Sequence, residues 1–380
     1  MSEFTSRTPI KHRGRPTLLH VARAAGVSKM TVSNVANGRL HLVRESTVNR
    51  VQDAIDRLGY RPDLHARALR LSRGWAIGML VVTRKSDFLA SQWMGRVVTG
   101  LSNYLGERGF GLLLHTHNPD NLDNSILMKW THADGLCVLL SGSDQERKEI
   151  LEKLSRLKLP LVVLQETLVP SRRSDMAVVR QDDFDGGRQL GEHLISQGAE
   201  RLVFVKPDFS WPAMVERARG VVAAMTARSA VSLRTLECSN DDYDSVEAEI
   251  LTELAENGLP DAFLAANESI ALAILDTITG GGFHVPNDVL LTGFNAFDVW
   301  FFAKRKVTTI SFPAEEIGIR AGERMLERIN TGRFAEKVDV LPATLVIGDT
   351  SIRGKQPLRE RKNEKDKLMP RRGLAQNRRS

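Results

Sequence analysis

The stretch VSKMTVSNVANG, running from Val27 to Gly38, sets hydroxyl, amide and ammonium groups in a regular order. On a helix, Lys29, Met30, Ser33 and Asn34 point away from a stripe made by Val32, Val35 and Ala36. Such a face suits the hydrogen-bonding surface of a nucleic acid. Patterns for other chemistry are missing from the sequence. It has no G-x-x-x-x-G-K-[ST] run to cradle a phosphate and no nucleophile elbow, and its nine histidines show no metal-helix spacing. Cys137 and Cys238 lie in separate segments without metal-type spacing, which fits a reducing compartment and argues against a structural zinc. The expectation is therefore binding rather than catalysis: no enzyme, no cofactor and no metal.

The elements that would carry this face are short helices. Leu18, Val21, Ala22 and Ala25 recur at helical spacing, with Gly26 as the C-terminal cap. Ser28 sits where an N-cap belongs, and Asn37-Gly38 ends the second helix. A third helix starts near Ser46, with Val48, Val51, Ile55 and Leu58 on one face and Gly59 just beyond. Three such helices around one small core make a helix-turn-helix arrangement. Charge supports the reading. Residues 1–70 hold 13 Lys/Arg against 5 Asp/Glu, a balance of +8, while the chain as a whole carries +7. A basic head of this size is the footprint of a nucleic-acid contact. Residues 351–380 are also at +8, leaving −9 for the 280 between. That tail has no apolar period and reads as a disordered, solvated charge run.

Tyr60-Arg61-Pro62-Asp63 breaks the helical pattern, and Leu64 to Ser72 has too few apolar residues to hold a helix alone. From Trp75 onward, buried-strand runs alternate with amphipathic stretches. The strands are Ala76 to Val82, Gly111 to His115, Gly135 to Leu140, Leu161 to Leu164, Leu202 to Val205, Ala262 to Ala265 and Val289 to Thr292. This βαβ alternation predicts parallel sheets covered by helices on both faces, split into two lobes, with ligands at the carboxyl ends of the strands. A chain of 380 residues exceeds what one core supports, and no apolar run approaches the roughly 18 residues that span a bilayer. With no apolar leader at the N-terminus, a cytoplasmic protein without membrane contact is expected.

Four stretches in order, TLLHVARAAGVSKMTVSNVANG, AIDRLGYRPDLHARALR, LAANESIALAIL and VPNDVLLTGFN, carry a resemblance to the lactose-repressor (LacI-type) family of bacterial transcription regulators. The likeness covers roughly residues 17–350. It implies an all-α helix-turn-helix headpiece followed by an α/β, two-lobed, periplasmic-binding-protein-like sensor domain. It divides the chain into a basic arm (1–16), the headpiece (17–62), a hinge helix or linker (63–74), the sensor (75–350) and the basic tail (351–380). Lobe 1 would take about 75–177 and 309–337, and lobe 2 about 178–308 and 338–350.

By that resemblance the second helix enters the major groove of operator DNA. Lys29 and Met30 match the base-reading positions, and Ser28, Thr31, Ser33 and Asn37 match those that hold phosphates. At Asn34 the family usually has arginine; Asn prefers adenine, so the half-site should differ there, while plain solvent exposure is the alternative. Ala66 and Leu69 fall where the hinge presents its minor-groove wedge, and the hinge pair needs a homodimer. Arg217 in ERARG matches a ligand-gripping arginine, Asn267 a polar contact, and Asn295 replaces an aspartate that binds sugar hydroxyls. Ser91 and Trp93 align with first-lobe contacts, and Asp182 lies near the lobe crossover. Trp93 as helix packing and Asp182 as a helix cap are the competing readings. The implied effector is a sugar, sugar acid or sugar phosphate, with GFNAFD pointing to the gluconate branch. Function follows as an effector-responsive regulator, a repressor of carbohydrate or sugar-acid genes. The rival readings are a sugar-kinase-like body carrying a helix-turn-helix, and a regulator whose cleft is vestigial.

Overall fold

The structure is a computed structural model that describes residues 16–36, 38–60, 74–85, 89, 91–124, 133–209, 211–226, 228–295 and 305–353. It divides into two compact units between Gly74 and Trp75.

The first unit holds α1 (Leu18–Ala25), α2 (Lys29–Ala36) and α3 (Glu45–Leu58). Gly26 and Gly59 end α1 and α3 in the left-handed conformation. Val21, Ala22, Ala25, Val32, Val35, Val51 and Ala54 bury their side chains together, so the period of 3.6 in each helix resolves into one shared core. Two details depart from the sequence expectation. Ala36 stays half-buried at the rim, and Tyr60, read only as the start of a break, joins the core. The residues read as arm, hinge and tail, together with Asn37, lie outside the described residues except for their edges.

The second unit is built on two six-stranded sheets. The first takes β1 (Ala76–Val82), β2 (Gly111–His117), β3 (Gly135–Leu140), β4 (Leu161–Leu164), β5 (Met176–Gln181) and β11 (Val338–Leu341), parallel throughout in the order β11-β5-β4-β3-β1-β2. The second takes β6 (Arg201–Pro207), β7 (Ser232–Cys238), β8 (Ala262–Ala265), β9 (Leu290–Phe294), β10 (Thr308–Ser311) and β12 (Thr344–Val346), in the order β12-β10-β9-β8-β6-β7. Only β12 runs antiparallel to its neighbour.

Strand alternation explains why β1 reads as one continuous apolar run. Ile77, Met79 and Val81 face the cluster that includes Met94, Val97 and Leu101 of α4 (Gln92–Glu107) and Ile317 of α10 (Ala314–Thr331). Leu80 and Val82 face Ile150, Leu151 and Leu154 of α5 (Asp144–Ser155) on the other side. A strand covered on both faces has no polar position to show.

The lobe boundaries differ from those expected. All of β5 belongs to the first sheet, where residues from 178 were assigned to lobe 2; β10 belongs to the second, where residues from 309 were assigned to lobe 1. Likewise β11, assigned to lobe 2, pairs with β5 in the first sheet. The chain crosses between lobes after Gln181, after Ser311 and after Leu341. Short strands such as TTIS and VDVL carry no local mark of which sheet they join, because membership is decided by pairing with residues far along the chain.

Candidate nucleic-acid face and ligand cleft

On α2 the Ser28 hydroxyl accepts a hydrogen bond from the Thr31 amide at 3.1 Å, and the two hydroxyls lie 3.0 Å apart. Ser28 therefore satisfies one of the open amides at the start of α2. Lys29 and Met30 follow in the first turn, both exposed, with Met30 at 69%. Ser33 and Asn34 are half-buried, and Val32 and Val35 are buried. The helix is thus two-sided, and its N-terminal turn presents Lys29 and Met30 to solvent. Asn37, Ala66 and Leu69 lie outside the described residues.

In the second unit, a cavity of about 340 Å³ is lined from both lobes. Five of its polar side chains stand just past the carboxyl ends of strands: Lys85 after β1, Gln165 after β4, Asp241 after β7, Asn267 after β8 and Asn295 after β9. Parallel sheets make this arrangement general, since every strand leaves the sheet at the same end. Trp93, Phe209, Trp211 and Met214 supply the apolar wall. Trp211 begins the turn into α7 (Pro212–Met225) of the second lobe, yet it buries its ring among first-lobe residues.

Arg217 of α7 forms the deepest part of the site and is 4% exposed. Its Nε donates to Asp183 Oδ1 at 2.8 Å, its Nη1 donates to the Ala266 carbonyl, and its guanidinium lies 4.3 Å from the centre of the Phe294 ring. Asp183, the first residue of α6 (Asp183–Ser196), also accepts from Gln165 at 3.2 Å and Gln181 at 2.9 Å. Burial pushes its carboxyl above the ordinary range, with the Arg217 charge and the Gln181 hydrogen bond pulling it back. The two helices that carry this pair approach closely. A Cβ at Gly187 would lie 2.1 Å from the Arg217 carbonyl oxygen, and one at Gly220 would lie 2.0 Å from that of Phe184. Only glycine allows that approach, so Gly187 and Gly220 set where Arg217 stands.

Of the remaining polar groups, Asn267 and Lys85 are already satisfied, and the Asn295 amide oxygen is not. Asn267 caps α9 (Glu268–Gly280) by accepting from Ile270 N at 2.9 Å, and its Nδ2 donates to Asp241 Oδ2 at 3.1 Å. Lys85 Nζ pairs with Asp241 Oδ1, and its ammonium lies 5.1 Å from the centre of the Phe209 ring. Asn295 is 5% exposed at a φ of 71°, a left-handed conformation that Asn tolerates better than most residues. Its Oδ1 is buried against the cavity and accepts no hydrogen bond among the described residues. A buried acceptor without a donor is costly, and a ligand hydroxyl or N–H at this point removes the cost.

Arg217, Asn267, Asn295, Ser91 and Trp93 all line this cavity. Ser91 also caps α4, accepting from Met94 N at 3.3 Å, and Trp93 Nε1 donates to Gln181 Oε1 at 3.3 Å. Asp182 does not line it. Its carboxylate caps α6, accepting from Asp185 N at 3.0 Å, and it is the neighbouring Asp183 that meets Arg217. Sequence reasoning missed Asp183, Lys85, Asp241, Gln165 and Gln181. A search one to three residues past each strand would have found Lys85 and Gln165. Asp241 needed β7, an edge strand whose alternating exposure hides it. Among the described residues no group of His, Cys, Asp and Glu is arranged to hold a metal ion, and no helix is long and apolar enough to cross a membrane.

Comparison with known proteins covers nearly the whole chain. The profile for bacterial regulatory proteins of the lacI family matches residues 17–63, and that for a periplasmic binding protein-like domain matches residues 192–351. The HTH-type transcriptional regulator CelR of Thermobifida fusca is 30% identical over 340 residues, spanning 88% of this chain and 98% of its own. The HTH-type transcriptional repressor PurR of Mannheimia succiniciproducens is 29% identical over 338 residues, spanning 87% and 97%. Among solved structures, a complex of the transcriptional regulator CelR with cellobiose superposes with a TM-score of 0.63 at 27% identity, covering 88% of this chain and 100% of that one.

Proposed function

The chain belongs to the lacI family of bacterial regulatory proteins, and from that premise we propose that it is a cytoplasmic, homodimeric repressor of carbohydrate genes whose effector occupies the cleft around Arg217. The DNA-binding part is assigned to α2: Lys29, Met30 and Asn34 at base edges, and Ser28, Thr31, Ser33 and Asn37 at phosphates. Ala66 and Leu69 are assigned to the hinge wedge. Two copies fit a pseudo-palindromic operator, because a two-fold protein reads two half-sites. The effector shifts the balance between lobe arrangements, and a coupling of about 1–3 kcal/mol changes operator occupancy about 5- to 150-fold.

The observation that carries the effector site is the buried Asn295 Oδ1 without a donor, facing the same cavity as Arg217 and an aromatic wall. Polar groups at one end and aromatic faces along the side suit a ring with hydroxyls and an apolar face. The cellobiose seated in the CelR complex is a ligand of that chemistry.

The test is a thermal-shift screen of the full chain against sugars, sugar acids and sugar phosphates. A ligand at a hundredfold excess over its Kd raises stability by about 2.7 kcal/mol. The same ligand should lose this effect in Arg217→Lys, which cannot form the paired contacts of a guanidinium. A hit that keeps its full affinity in that variant places the effector elsewhere and refutes the assignment.

A further inference from the structure

We propose that Asp241 is a specificity-determining residue: as a built-in counter-ion to Lys85 it closes the cleft to carboxylated and phosphorylated ligands and leaves it to uncharged, hydroxyl-bearing ones. The inference rests on the reading of this cleft as the effector site and narrows its ligand class.

Charge around the cavity is already matched. Among the described residues, the cations that line it are Lys85 and Arg217. Arg217 is held by Asp183, with both side chains almost wholly buried. Lys85 is held by Asp241, with side-chain exposures of 15% and 27%. Glu268, buried at the start of α9, adds a further carboxylate to the lining. Among the described residues of the lining, an incoming anion therefore meets no cation without a carboxylate partner.

The Lys85–Asp241 pair is more exposed than the Arg217–Asp183 pair, and its partners come from different lobes. Lys85 follows β1 of the first sheet, and Asp241 follows β7 of the second, 156 positions away. Asp241 is fixed on its other oxygen by Asn267, and Lys85 packs over Phe209. The carboxylate thus occupies the position on Lys85 that a ligand carboxylate or phosphate would otherwise take. The orphaned Asn295 Oδ1 asks for a donor as well, which hydroxyls supply and an ionised acid group does not. Neutral polyols satisfy both conditions.

Inorganic phosphate is the probe, titrated into the full chain with tryptophan fluorescence as the signal, since Trp93 and Trp211 line the cavity. The wild type should show no saturable change at millimolar phosphate. Asp241→Asn, which frees Lys85, should bind phosphate at least about tenfold more tightly, the scale of one hydrogen bond to a charged group. The gain should vanish in the Lys85→Gln/Asp241→Asn double variant. Circular dichroism verifies that each variant is folded, and Asp241→Ser serves as a second variant if Asp241→Asn is not. Two results overturn the proposal: a wild type that binds phosphate as well as Asp241→Asn does, or a folded Asp241 variant with no gain. An Arg217-dependent metabolite alongside no phosphate gain keeps the effector site and removes only the role of Asp241. A phosphate gain alongside a screen without any Arg217-dependent metabolite supports the counter-ion and counts against the effector site.

Discussion

Replacing Arg217 with methionine isolates the cost of the buried ion pair, because methionine fills similar space without charge. Asp183 would remain in the interior with Gln165 and Gln181 as its hydrogen-bond partners. An ionised carboxylate left there without its cation is unfavourable enough that the group protonates instead. With an ordinary carboxyl pKa of about 3.9 and ~1.4 kcal/mol for each pH unit, protonation costs about 4 kcal/mol at pH 7 and about 1.5 kcal/mol at pH 5. Breaking a buried pair by removing one partner costs about 3–5 kcal/mol in general, which agrees with the neutral-pH value. The variant should thus recover much of its lost stability on acidification. Loss of the bond to the Ala266 carbonyl and of the contact with Phe294 adds a part that does not depend on pH. Urea unfolding followed by tryptophan fluorescence reports the second unit alone, since all five tryptophans lie from Trp75 onward. In Arg217→Met/Asp183→Leu no acid is left behind, so the loss should be smaller than the sum of the single variants and nearly independent of pH. A loss under about 1 kcal/mol at pH 7, or one that is equal at both pH values, refutes the claim that Arg217 holds a buried charge.

Burial depresses the His193 pKa below its ordinary value, partly offset by its hydrogen bond to Ser351. The unfolded chain therefore takes a proton before the folded one, and stability should fall as pH drops below about 6.5 and level off below the folded pKa; Tm against pH should lose this component in His193→Gln. Gly220→Ala should destabilise the second unit by about 1–3 kcal/mol, read as a lower Tm, and weaken effector binding, because the new Cβ presses on the Phe184 carbonyl and moves Arg217; unchanged ligand affinity in a destabilised variant counts against the positioning role. Ser28→Ala should cost about 1 kcal/mol of local helix stability, seen as faster amide exchange in α2. Lys29→Ala should relax base preference at one operator position by about 1–3 kcal/mol in selection experiments; uniform weakening across all sequences would make Lys29 a phosphate contact.

Local order was legible wherever an element announces itself in adjacent residues. The Ser28 cap, the stripes of α1 to α3 and the glycines that end α1 and α3 are written in neighbouring positions, because helices satisfy their backbone within a few residues. The apolar runs of β1, β3, β4 and β8 were equally plain, since strands buried on both faces leave no polar gap. Strands β5 and β7 were not, with MAVVRQ ending in polar residues and SLRTLEC half-exposed along a sheet edge.

By itself, then, the sequence determined the headpiece and the α/β alternation of the body, which follow from short-range period; Arg217, Asn267 and Asn295 were pointed to a cleft by resemblance to a family, through the stretches that carry it. Tertiary structure alone decided which sheet β5, β10 and β11 join, that Asp183 rather than Asp182 meets Arg217, and that Lys85 finds Asp241. Those outcomes depend on contacts between residues far apart along the chain. A charge reveals its role only when folding removes water from it and supplies, or withholds, a partner.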